Sequence, residues 1–138
     1  MSLFMPLLMT LAAYVGLHPS LSVLDVTCDP YVQGYVQDGI VHVCKDAELP
    51  RQTIINHEIV HLVQSNLGVD TLLPHSTLDY LVHTRMSEME KLNVILVYSD
   101  SGYMMQEFEA RLLQTLPDDV IMSLYRLSQG YASTNLSD

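Results

Sequence analysis

The spacing of apolar and polar residues changes several times along this chain, and each change marks an element. From Leu3 to Leu17 the residues are nearly all apolar (LFMPLLMTLAAYVGL). Pro6 and Gly16 interrupt the run, it is short for a membrane span, and no basic residues precede it as they would in a secretory leader. It reads as an N-terminal helix packed on the core, ended by His18, Pro19 and Ser20. Leu21 to Val26 reads as a short strand. Tyr31 to Gln37 and Ile40 to Cys44 are rich in β-branched and aromatic residues, and Asp38-Gly39 between them is a hairpin signal. In the second run Ile40, His42 and Cys44 face one side, Val41 and Val43 the other. His42 there reads as a solvent-facing strand residue rather than a ligand.

After a polar connection from Lys45 to Leu49 the period becomes helical. Pro50 suits a first turn, Ile54, Ile55, Ile59, Val60, Leu62, Val63 and Leu67 form an apolar face, and Gly68 can close the C-terminal end. Ser76 followed by Asp79 resembles a capping box, which predicts a helix from Thr77 into the nineties. Asn93 to Tyr98 (NVILVY) fits either a continuation of that helix or a strand. Ser99 to Gly102 is a turn that can cap a helix over about 103–116. Pro117-Asp118-Asp119 opens a last helix, Gly130 ends it, and a loose polar tail follows. The pattern predicts one α+β domain of 138 residues, mostly helical, with a short β-hairpin or antiparallel sheet beside the 50–68 helix.

Charge removes some function classes. Sixteen acidic residues against six basic ones leave a formal charge of −10. Nucleic-acid phosphates and anionic membranes call for Lys and Arg, so neither is an expected partner. Cationic partners are mildly favoured, although a solvated acidic surface that aids solubility is the commoner explanation. Cys28 and Cys44 can form one bridge or stay reduced and buried, and the sequence leaves both open. Oligomeric state is left open too; an intracellular location is slightly favoured over secretion.

The chemistry is concentrated in His57-Glu58-Ile59-Val60-His61. Positions four apart stack on one face of a helix, so His57 and His61 would offer two imidazoles to one metal ion. Glu58 lies one step round, within reach of a water but not placed as a ligand. This HExxH spacing suits Zn²⁺ held by two histidines, with Glu58 as general base. A catalytic zinc usually takes a third protein ligand, expected from a later element. Gln106 to Leu113 (QEFEARLL) offers Glu107 and Glu109. Glu109 lies on the apolar stripe with Met105, Leu112, Leu113 and Leu116, and an inward carboxylate needs a reason such as a metal.

QEFEARLL resembles the third-ligand helix of the glutamate-zincins, whose pattern is Glu-x-x-Ala; the prenyl-protein endopeptidases and the immunity-type phage-repressor peptidases carry versions of it. The resemblance implies Glu107 as the ligand and Ala110 as the small residue that lets the two helices approach, with Arg111 standing where many members have Asp or Asn. Cys28-Asp29-Pro30, Gly34-Tyr35, GIVHVCKD and INHEIVH, over residues 28–64, are similar to the small zinc peptidases that process a subunit of mitochondrial ATP synthase. Together the two resemblances imply a small zincin-like fold and a zinc metalloendopeptidase acting on a peptide or protein. Such enzymes commonly hold an extended peptide along an edge strand, for which Ile40 to Cys44 is the expected edge, and Tyr98, Tyr103, His75 and His83 are candidate oxyanion donors. Two rival readings are an inactive zincin-fold binding module and a helical interaction protein with an accidental motif.

Overall fold

The computed structural model describes residues 21–136, so the expected helix over Leu3 to Leu17 lies outside the described residues. Strands β1 (Val23–Val26), β2 (Gly34–Gln37) and β3 (Ile40–Cys44) are followed by helices α1 (Arg51–Leu67), α2 (His75–Arg85), α3 (Glu88–Tyr98), α4 (Met104–Leu113) and α5 (Asp118–Leu136). The result is the α+β architecture expected, a small sheet beside a larger set of helices.

The hairpin forms where Asp38-Gly39 predicts it. Both residues have positive φ, 55° and 76°, as a two-residue turn matching strand twist requires. β2 and β3 pair antiparallel, Tyr35 opposite His42. On its other side β3 takes β1 in parallel, Val23 opposite Val41. The order is therefore β1-β3-β2, a mixed sheet with β3 in the centre. This corrects the expectation that Ile40 to Cys44 is an edge: among the described residues β2 and β1 are the edges. Val41 and Val43 are buried, while half-buried His42 stacks on Tyr35 at 4.5 Å between ring centres on the opposite face. Cys28 and Cys44 are joined by a disulfide, which ties the segment after β1 to the end of β3.

Helix α1 starts at Arg51, directly after Pro50, and ends at Gly68, whose φ of 66° gives the left-handed cap. One apolar cluster lies between sheet, α1 and α5 and includes Val41, Val43, Ile59, Val63, Ile121 and Tyr125. A second joins α2, α3 and α4 through Leu78, Val82, Met86, Val94 and Phe108. Helix α4 bridges them, giving Ala110 to the first and Phe108 to the second.

Three boundaries differ from the sequence reading. Pro74, extended at ψ 145°, already starts α2, and its carbonyl accepts from the Leu78 N–H, so Ser76 falls inside the first turn. The expected long helix breaks at Met86, which is extended, and restarts at Ser87, whose hydroxyl accepts from the Glu90 N–H at 3.2 Å. A serine cap and the burial of Val94 keep Asn93 to Tyr98 helical despite their β-branched content. Gly130 does not stop α5, which continues to Leu136; one glycine costs a helix only about 1 kcal/mol.

Candidate metal centre

His57 and His61 sit one turn apart on α1, their rings edge to face with centres 4.9 Å apart. Helix α4 crosses α1 and delivers Glu107 between them. Its Oε1 lies 3.1 Å from His57 Nε2 and its Oε2 lies 3.1 Å from His61 Nε2. Ala110, fully buried one turn along, leaves room for this approach. One ligand atom from each of the three residues falls within 4.8 Å of the others. A tetrahedral zinc with bonds of about 2.0–2.1 Å separates its ligand atoms by about 3.3 Å, so the spacing fits a small cation with little rearrangement. Two imidazoles and a carboxylate are also a donor set that zinc accepts.

The outer nitrogens of both rings are held. His57 Nδ1 faces Gln114 Oε1 at 2.7 Å and His61 Nδ1 faces Gln64 Oε1 at 2.9 Å. The Gln64 amide cannot be reversed without loss, because its Nε2 donates to the Gln106 carbonyl and to Glu109 Oε1. Its oxygen must then face His61, which places the hydrogen on Nδ1 and directs Nε2 at Glu107. Such partners fix tautomer and ring orientation at metal sites. The sequence reading missed both glutamines. Gln64 had a signal, a polar residue on the apolar stripe of α1 three positions after His61; Gln114 lies seven after Glu107, on the same side of its helix.

Glu109 is fully buried, and its carboxylate is used elsewhere. It accepts from the Leu72 and Leu73 N–H groups at 2.7 and 2.8 Å and from Gln64. The inward carboxylate on the stripe thus has its reason in the loop after α1.

Electrostatics separate the two carboxylates near the rings. Burial alone would raise Glu107, but hydrogen bonds and charge from His57 and His61 outweigh it and hold the carboxyl well below the ordinary range. Arg111 adds a contact, its Nε donating to Glu107 Oε1 at 3.2 Å. Glu58 is pushed up by burial, against the pull of the two imidazoles and with help from Glu107. His61 is raised: burial lowers it, but Glu107, Gln64 and Glu58 together prevail.

The triad lies in a cleft between β2 and α3. Two depressions, of about 540 Å³ and about 370 Å³, meet there and share Gly34, His57, Glu58, Tyr98 and Glu107. Gly34 is there for space: a Cβ would come 2.5 Å from Ile54 Cγ2 and 2.8 Å from the His42 carbonyl. Tyr98 lines both depressions and Tyr103 the smaller one. His75 and His83 are not in the cleft; each is exposed and pairs with an aspartate, Asp70 and Asp79.

No known protein-family model, curated protein or solved structure matches this chain.

Proposed function

We propose that this protein is a zinc-dependent peptidase in which His57, His61 and Glu107 hold the cation and Glu58 is the general base. The observation that carries the reading is the convergence of two Nε2 atoms on one carboxylate, with Gln64 and Gln114 orienting the rings from behind. The same three ligands would suit iron(II); the buried, raised Glu58 beside them favours hydrolysis. When bound, zinc would supply polarisation of a carbonyl and acidification of water. Glu58 takes the proton of the attacking water and returns it to the leaving amine, which its raised carboxyl suits. Tyr98, kept a neutral phenol by burial and by Glu107, can donate its O–H to the developing oxyanion.

Substrate main chain is expected along β2. The Cys44 N–H donates to the Gln33 carbonyl, which sets the alternation of the ladder: Gln33, Tyr35 and Gln37 bond to β3, and Gly34 and Val36 present their N–H and C=O at the free edge. Both lie at the cleft, so an extended peptide can pair there.

Purified protein reconstituted with zinc is expected to hold about one metal per chain, and His61→Ala and Glu107→Ala little or none. Glu58→Gln should keep the metal and lose roughly 10²–10⁴-fold in peptide hydrolysis. Absence of metal from the wild type, by native mass spectrometry or elemental analysis, would sink the proposal. Metal without hydrolysis would favour the inactive binding module.

A further inference from the structure

The larger depression is built unlike the smaller one. Tyr31 and Val32 before β2, Leu49 before α1 and Val97 on α3 meet around it, and all four are large apolar residues left exposed, Tyr31 at 96 % and Val97 at 66 %. The main chain is positioned for this: Tyr31 has a φ of 72°, and the Gln33 side chain accepts from the Glu48 and Leu49 N–H groups, which pins Leu49 to the β2 side. Apolar surface gathered round a concavity beside a reactive centre favours a ligand that covers it.

Four charged residues line the depression: Glu58, Glu107 and Arg111 at the triad, and Glu90 on α3 with Val97. Glu90 shares a stripe of α3 with Val94 and Val97, is half-buried, and lines the depression. No described side chain donates to its carboxylate or pairs with it. The basic residues nearest in sequence or in the cleft are engaged: Lys91 pairs with Glu88, and Arg111 lies on Glu107. A half-buried carboxylate in an apolar wall suits a cation on an apolar stem.

From this wall we infer that the larger depression is a subsite for a lysine or arginine side chain, and that Glu90 determines the specificity; the inference rests on the peptidase reading for what happens to that peptide. The stem lies along Val32, Leu49 and Val97, and the ammonium or guanidinium meets Glu90. The formal charge of −10 draws the same class of substrate.

The test uses the full chain without metal, so that binding is measured apart from turnover. The probes are N-acetylated, C-amidated hexapeptides of alanine and leucine with one lysine, or with norleucine, which keeps the stem and drops the charge. Calorimetry is expected to give about fivefold tighter binding of the lysine peptide to wild type, the range between exposed and desolvated ion pairs. In Glu90→Gln the two peptides should bind alike, and in Glu90→Lys a glutamate-bearing peptide should be preferred. Urea unfolding of the variants confirms that they fold. The inference is overturned if wild type does not discriminate, if neither peptide binds, if discrimination survives in Glu90→Gln, or if preference follows a free α-amine in a non-acetylated control. Binding with discrimination, but no cleavage by the zinc-loaded wild type, would instead remove the peptidase reading and leave the subsite standing.

Discussion

Replacing Glu109 and Glu107 separately by alanine should damage different properties of the protein. Glu109 satisfies two backbone N–H groups, Leu72 and Leu73, and one amide hydrogen of Gln64. Gln64 retains the Gln106 carbonyl when Glu109 is cut back, but the two backbone donors lose their acceptors. At about 1–3 kcal/mol for each donor stranded away from water, Glu109→Ala costs about 2–6 kcal/mol, a large part of the roughly 5–15 kcal/mol that holds a domain together. Glu107→Ala leaves two imidazoles, still held from behind by Gln114 and Gln64, and a guanidinium whose side chain is 27 % exposed and can reach water. Its cost to the metal-free fold is about 1.5–3 kcal/mol, the range for bonds to charged groups, while zinc affinity falls by roughly a hundredfold or more. Urea unfolding in EDTA and competitive zinc titration of the folded proteins measure the two quantities. Glu109→Ala should unfold roughly 1–3 M earlier in urea and, while folded, bind zinc within about tenfold of wild type. The reasoning fails if Glu109→Ala is as stable as wild type yet binds no zinc while Glu107→Ala still does, for the ligand would then be the other glutamate.

Gln64→Leu removes the acceptor that orients His61 and should weaken zinc binding and hydrolysis about 10–100-fold; an unchanged zinc affinity would show that α1 alone fixes the ring. The metal-free protein should be more stable near about pH 5.5 than near about pH 8. His61 is raised above 6.5, so its contribution is complete below that pH and is lost as pH rises through the folded value. Glu58, raised above 4.5, acts in the same direction, and Glu107, depressed below 4.5, withdraws stability only in stronger acid. Urea midpoints in EDTA at the two pH values check this, and a higher midpoint at pH 8 would contradict it.

What the sequence made legible was local. Asp38-Gly39 announced its hairpin because few pairs accept positive φ twice, and Gly68 announced the end of α1 for the same reason. Four-residue spacing put His57 and His61 on one face. What escaped came from distant pairing. Nothing in the period of Ile40 to Cys44 reveals that β1 will add in parallel and make β3 central. Nor does the stripe through Met105, Glu109 and Leu112 reveal that Glu109's partners are N–H groups 36 and 37 residues earlier. The stripe placed Glu109 inward correctly; only the physical cause lay elsewhere.

That cause bears on the roles of all three buried glutamates. A carboxylate out of water must be compensated, and each is compensated differently. Glu109 is saturated by backbone and Gln64 donors, so it is unavailable to a ligand. Glu107 is engaged by His57, His61 and Arg111. A cation placed between the two rings would meet this carboxylate, which is why Glu107 is proposed as the third ligand. Glu58 accepts no hydrogen bond from any described residue, faces both depressions, and answers burial by a raised pKa. It is the carboxylate that the fold leaves free to exchange a proton. A single buried acid of this kind could be a packing accident. A loop anchor, a ring-facing carboxylate and a desolvated carboxylate on two crossing helices match the division of work that a hydrolytic metal centre would need, and on that match the proposal that Glu58 is the base rests.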